Sequence, residues 1–420
     1  MKAMSGRIAM IAALTGLVLP VLALGGCGSE PSGGLVIQEV TSSASTTGAG
    51  LPKGPAAAGA PGTSASASSG RTGSASRAST PGPTSARGAT TPGKANGGGR
   101  VNSKTNPPAP PAVGNAPVVL PGLTPSGLVT MSSGQTIRGL RITNPNGPCV
   151  VVPPDVTDVT IADSEIGPCG STADDDGVNI QPGATRVTVT GNIIHDVASG
   201  VYARLALNPI LVEGNRVYNV RGPLPRGQMV QFDSVTGDAT SRIVGNVSDK
   251  NAATITTHYE DHISLYRSAG TAAHPIEIAC NKIRGGDSIT GAAITVGDNG
   301  GGYADIHDNV VILTPSSGIS IAGAHDLSIT RNLVYNRGGS ASSHTNWALT
   351  IFSYASNTPR NVTVTGNRAL AAMWLDGYDG QVGPGMWSDG SGSNIVSSGN
   401  SWQDGSLSSA TWDTTPPSCL

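Results

Sequence analysis

The sequence predicts an all-β solenoid, in which short strands wind into coils that stack along one axis. Three observations predict it. Residues 186–220 hold one unit followed by its own copy: Val187, Val189, Gly191, Asn192, Ile194 and Val197 recur as Ile210, Val212, Gly214, Asn215, Val217 and Val220, each at an offset of 23. The preceding unit repeats at an offset of 28, with Val150, Val152, Val159, Ile161, Ser164 and Ile166 mapping onto Val178, Ile180, Val187, Val189, Asn192 and Ile194. Within each unit apolar residues alternate with polar ones, the period of a strand with one buried face. Such a strand cannot bury that face alone, so successive coils must pair in parallel and share one interior.

The corner Asn sets the register. It recurs as Asn192, Asn215, Asn246, Asn281, Asn309, Asn332, Asn367 and Asn400, with Ser164 in its place at the front. The gaps run 28, 23, 31, 35, 28, 23, 35 and 33 residues, so a minimal coil takes 23 and the excess must loop out. Gly and Asn tolerate left-handed backbone angles at a tight corner, and stacked Asn amides can hydrogen-bond as a ladder. About nine coils at roughly 4.8 Å per strand spacing give a rod on the order of 40 Å long. This pattern resembles the right-handed parallel β-helix of the pectin-lyase-like superfamily over residues 122–402; the handedness is what the resemblance implies.

In chain order, residues 1–26 read as an export signal. Lys2 and Arg7 precede an apolar run over residues 8–24, which ends Leu24-Gly25-Gly26-Cys27. That ending resembles the lipobox of bacterial lipoproteins and implies lipidation of Cys27, hence a membrane anchor outside the cytoplasm. Residues 27–116 are rich in Ser, Gly, Ala, Pro and Thr and lack aromatic residues. They cannot bury enough apolar surface to offset chain entropy, and are expected to form a disordered tether. Residues 117–405 form the expected β-helix domain and 406–420 a C-terminal tail. The net charge of −2, with 12% charged residues, gives no electrostatic footprint for nucleic acid. The rod is expected to act as a monomer.

Four cysteines follow Cys27. Cys149 and Cys169 each follow Gly-Pro and lie 20 residues apart, about one coil, so a disulfide between vertical neighbours is expected. Cys280 occupies the Gly position before Asn281 and reads as a core residue, with Cys419 as the alternative partner.

Loop lengths place the functional question. From each corner to the first inward residue of the next Gly-Val-x-Ile strand the chain takes 9 to 17 residues; from there to the next corner it takes 13 to 18. The larger variation falls on one side and walls a groove beside those strands, as loop insertions on one solenoid face mark a binding face. Outward positions give the floor: Asn179, Gln181, Tyr202, Arg204, Gln231, Asp233, Ser264, Tyr266, Thr295, Ser320, Thr350 and Phe352. The walls add Asp174, Asp175, Asp176, Arg221, Arg226 and the run His258-Tyr259-Glu260-Asp261-His262. Amides, aromatic rings, a carboxylate and an arginine suit a polyhydroxylated chain. A polysaccharide partner is therefore expected.

Bland readings stand beside the sharp ones. Asp174, Asp175 and Asp176 could supply oxygen ligands for Ca²⁺ or form a solvated acidic loop. Glu260, Asp261 and His262 could act as acid–base groups or cap a wall. Asp233 facing Arg204 and Tyr266 is either a catalytic constellation or a surface ion pair. Trp347, Trp374 and Trp387 are sugar platforms or core plugs. The superfamily mostly cleaves or epimerises acidic polysaccharides. Asp175-Asp176-Gly177-Val178 loosely resembles the Asp-Asp segment of polygalacturonase-type hydrolases, but their Gly-His-Gly and Arg-Ile-Lys segments and the pectate-lyase Trp-Ile-Asp-His are absent. Tyr259-Glu260-Asp261-His262 is faintly similar to the acidic-His site of alginate epimerases. No catalytic role is carried over from these resemblances.

The residues themselves leave two expectations. One is a surface-tethered carbohydrate-active enzyme, a lyase, epimerase or hydrolase, with Asp233, Asp261 or His262 as acid–base groups and Tyr202, Arg204, Arg226, Gln231, Glu260 and Tyr266 binding substrate. The other is a non-catalytic glycan-binding or cell-envelope structural lipoprotein with the same groove.

Overall fold

The computed structural model describes residues 120–250, 260–286, 288, 290–314, 316–336, 347–373, 381–382 and 385–415. The export signal, Cys27, the tether, His258, Tyr259, Trp374 and Cys419 lie outside the described residues. What is described is a right-handed parallel β-helix built from three sheets. In each coil a second-sheet strand such as Val201–Arg204 turns into a third-sheet strand, Ile210–Glu213. The Gly214-Asn215 corner follows, then a first-sheet strand, Arg216–Tyr218, and a loop back to the second sheet one level on at Val230–Asp233.

The Asn ladder is continuous. Asn215 Nδ2 donates to Asn246 Oδ1, Asn246 Nδ2 to Asn281 Oδ1 and Asn281 Nδ2 to Asn309 Oδ1, each at 3.0 Å. Each amide also bonds a backbone carbonyl of the preceding coil, as Asn246 Nδ2 does with Val212 O at 2.8 Å. The stack therefore satisfies side chains buried beyond the reach of water. The second and third sheets each hold ten strands, one coil more than the Asn register predicts. The extra coil lies at the front, over Thr124–Ser126, Val129–Thr130 and Thr136–Arg138. Its corner is Gly139-Leu140, and Leu140 can take part only through its backbone N–H, which donates to Ser164 Oγ.

Second-sheet strands stay in register through six coils: Val201, Val230, Ile263, Ile294, Ile319 and Leu349 lie one above the other. With Ala203, Phe232, Leu265, Val296 and Ile321 they fill the interior, fully or almost fully buried. Each such side chain contributes about 1.5–3 kcal/mol by leaving water. Inward alternation thus commits the intervening residues to the outer face.

Cys149 and Cys169 are joined by a disulfide with Cα atoms 5.4 Å apart. Cys280 is buried with Val244 and Ala279 and is itself disulfide-bonded. A short helix, Thr411–Thr414, brings Trp412 against Val310 and Ile312 on the outside of the first sheet. Lys282 and Arg284 lie 4.8 and 4.5 Å from its ring.

Candidate functional site in the groove of the second sheet

The outer face of the second sheet carries two rows of side chains. Asn179, Tyr202, Gln231, Ser264, Thr295, Ser320, Thr350 and Trp387 form the first, each paired with the next. From Tyr202 to Thr350 this row is buried. The second row, Gln181, Arg204, Asp233 and Tyr266, remains open to partly open. Arg204, Asp233 and Tyr266 are direct neighbours on three successive coils.

Asp233 joins the rows. Its Oδ2 accepts from the Tyr202 hydroxyl at 3.0 Å and its Oδ1 from the Ser234 hydroxyl at 3.0 Å. Arg204 Nε stands 3.9 Å from Oδ2, a distance that attracts without fixing the guanidinium. Burial pushes the Tyr202 hydroxyl up to about 12, so it remains a donor. Arg226 reaches in from the wall: its Cζ lies 4.0 Å above the Tyr202 ring and its Nη1 donates to Gln231 Oε1 at 3.3 Å. A cation over a ring face, closed off from water, favours both partners.

The three aspartates of the preceding wall diverge. Asp175 Oδ2 accepts from the backbone amides of Ser171 and Thr172 at 2.6 and 2.5 Å. Asp176 turns beneath the floor and accepts from Asn179 Nδ2 at 3.0 Å. Asp174 is exposed. Asp175 is spent on a turn and Asp176 on an amide, so the trio does not offer the converging oxygens that Ca²⁺ requires. Among the described residues no group of three or more His, Cys, Asp or Glu could hold a metal ion. Burial first, opposed by Asn179 and by the Arg226 charge, pushes the Asp176 carboxyl up to about 7. No hydrogen bond of normal geometry reaches its Oδ1.

A second group of acids stands three coils on. Asp261 Oδ1 accepts from the Ala292 amide and the Thr295 hydroxyl, both at 2.7 Å. Lys250 Nζ sits behind it on the carbonyls of Glu260 and Asp261 at 3.0 and 3.1 Å. Burial, reinforced by the neighbouring Asp261 charge, pushes Glu260 up to about 7, and burial raises Asp261 as well. Tyr266 takes a hydrogen bond from Asn299 at 2.9 Å and has Arg267 4.8 Å from its ring.

His262 lies below the floor, not on it. It is buried; Nε2–H donates to the Gly285 carbonyl at 2.9 Å, and because a carbonyl can only accept, Nδ1 must accept the Ser248 hydroxyl at 2.7 Å. Burial holds its pKa well below the usual imidazole range. A neutral, doubly bonded ring of this kind braces the corner that carries Glu260 and Asp261. Trp387 ends the first row, tilted against Trp347 and Phe352 with ring centroids 6.5 and 6.4 Å away.

Sequence reasoning missed Asp298. Strict alternation puts it on the wrong side and leaves the Thr295 coil without a titratable group. A bulge places it opposite Tyr266. Gly297, immediately after the inward Val296 and at the position that alternation would turn outward, is the signal that could have shown it.

Residues 126–303 match the family described as "Right handed beta helix region", and the match covers the coils that carry Tyr202, Arg204, Asp233, Asp261 and Tyr266. Among solved structures, the A-module of the mannuronan C-5 epimerase AlgE6 from Azotobacter vinelandii is similar at 14% identity and a TM-score of 0.36, over 67% of this chain and 85% of that one. A likeness of that degree says nothing about substrate. No curated protein sequence matches the chain.

Proposed function

We infer that the groove of the second sheet binds a polysaccharide and cleaves or epimerises it. In this reading Asp233 and Asp261 are the acid–base groups, Arg204 and Arg226 receive a carboxylate or hydroxyls, and Tyr202, Gln231, Glu260 and Tyr266 line the chain's path. The observation that carries it is the open to partly open row of Arg204, Asp233 and Tyr266 joined to a buried base: Asp233 bonded to Tyr202 at 3.0 Å and Arg226 4.0 Å above the same ring. Rings, amides and charges at one strand spacing suit a polymer laid along the axis.

Incubating the full chain with uronate and neutral polysaccharides, with and without Ca²⁺, should yield unsaturated ends, new reducing ends or a changed uronate configuration from at least one of them. Tight binding with no product from any would replace this reading by the glycan-binding or cell-envelope structural one.

The N-terminal segment carries a separate proposal, that the chain is exported and anchored through lipidated Cys27 with residues 27–116 as tether. Cys27→Ser should then move the protein from the membrane fraction to the soluble one, as seen by fractionation and immunoblot. An unchanged membrane fraction would remove the lipid anchor.

A further inference from the structure

Val244, Ala279 and Cys280 form a small buried cluster apart from the main core, and all three point away from it. Ile243 and Ile278 fill the interior, so alternation turns Val244 and Ala279 outward, in one row with Glu213 before them and His307 after. Cys280 holds the left-handed position ahead of a ladder Asn, with φ +56°. Asp308 and Arg331 hold the same position in the next two coils, at +54° and +55°, and their side chains reach solvent, 28% and 61% exposed. Yet Val244 and Ala279 are fully buried and Cys280 is 2% exposed. A cluster on the outside of the rod is dry only where chain lies over it.

The described chain ends beside that corner. Trp412 rests on Val310 and Ile312, and its carbonyl accepts from Lys282 Nζ at 2.5 Å. Lys282 is two residues past Cys280. Thr415 leaves the helix extended, at φ −104° and ψ 109°, and the four residues from there to Cys419 span up to about 14 Å.

Cys280 is disulfide-bonded, and Cys149 is joined to Cys169, so of the five cysteines Cys27 and Cys419 are left as partners. We propose that the partner is Cys419, and that residues 416–420 form a strap latched over the outer corner between the third and first sheets, covering Val244 and Ala279. Cys419 is tethered four residues beyond Thr415, whereas Cys27 precedes Leu120, the first described residue, by 93. The shorter tether holds its thiol at much the higher local concentration. The pairing also leaves Cys27 free for the lipid proposed above.

Closing the latch takes two electrons and two protons from the thiols of Cys280 and Cys419; a disulfide oxidant accepts them and departs as a dithiol. Outside a reducing cytoplasm the bond persists. Under reducing conditions it opens, the strap lifts, and the face formed by Val244, Ala279, Val310 and Ile312 meets water. The closed latch keeps that apolar face from other chains.

The test begins with the full chain isolated as exported, its free thiols capped with iodoacetamide and the protein digested with trypsin without reductant. Cleavage after Arg267, Lys282 and Arg368 puts Cys280 and Cys419 on separate peptides, and mass spectrometry should find them joined. A capped Cys280, or one joined to Cys27, would overturn the inference. Cys419→Ser and Cys280→Ala, which spare the bond between Cys149 and Cys169, should each speed amide hydrogen exchange over Thr411–Thr415 by about tenfold or more and lower Tm by roughly 5–10 °C. The double variant should match either single one, because both remove the same bond. Parent-like exchange in both single variants would overturn the strap, and should Cys280→Ala fail to fold, the peptide map of the parent still decides the pairing.

Discussion

Asp233→Asn should reduce turnover of the groove's polysaccharide by about 10²–10⁴-fold, the contribution expected of one positioned acid–base group. The substitution keeps the side chain's shape: the amide oxygen can still accept from one of the Tyr202 and Ser234 hydroxyls, both at 3.0 Å, while the amide nitrogen can donate to the other. What it removes is the ability to take a proton and the charge that faces Arg204. The melting temperature should therefore stay within a few degrees of the parent while kcat falls. Initial rates measured beside a thermal melt separate these effects: a mutant with near-normal turnover would strip Asp233 of its role, and one that fails to fold would point to a purely structural acid. Tyr202→Phe should show a milder loss, because it deletes one bond to the carboxylate without deleting the carboxylate.

The largest effect on stability should come from the middle of the amide stack. In Asn246→Ala, Asn215 loses the acceptor for both its backbone N–H and its Nδ2, and the Val212 carbonyl loses the Nδ2 donor, all in a fully buried corner. Orphaned buried groups cost about 1–3 kcal/mol each, so the total is on the order of 3–9 kcal/mol, a large part of the roughly 5–15 kcal/mol that holds a domain together. Asn400→Ala, at the partly exposed end of the same stack, should cost much less. Guanidinium unfolding of the two variants side by side measures the difference; equal, small losses would show that neighbouring backbone or water replaces the amide readily.

The coil register was legible because it is dictated by a conflict that few residues resolve: a tight corner needing a left-handed residue, Gly at 191, 214, 245, 366 and 399, followed by a side chain that both donates and accepts. Asn192 through Asn400 report it directly, whereas the first coil escaped because Leu140 answers with backbone alone. The open row Arg204, Asp233 and Tyr266 followed from period-2 alternation, which parallel pairing preserves from coil to coil. Three features did not follow. His262 carries the right chemistry for a catalytic residue but turns inward, since Ser248 and Gly285 offer it one bond at each nitrogen. Asp174, Asp175 and Asp176 are adjacent in sequence, yet a turn needs one carboxylate for its own amides and splits the group. Asp298 changes sides because a one-residue slip inverts every later side chain, and the close approach of Ala324 that reserves position 297 for glycine is a contact between coils that no local pattern announces.

The ladder that fixes the corners also acts as a ruler. Each turn of the chain advances by one strand spacing, so any two groups in the same row stand apart by whole multiples of about 4.8 Å. Excising the single turn between Asn246 and Asn281, which are 35 residues apart, would bring Asp233 and Asp298 from two steps to one and remove Glu260, Asp261 and Tyr266 with it. In such a scaffold the distance between groups on one face is set by a count of turns, and duplication or loss of one unit changes it in a single event.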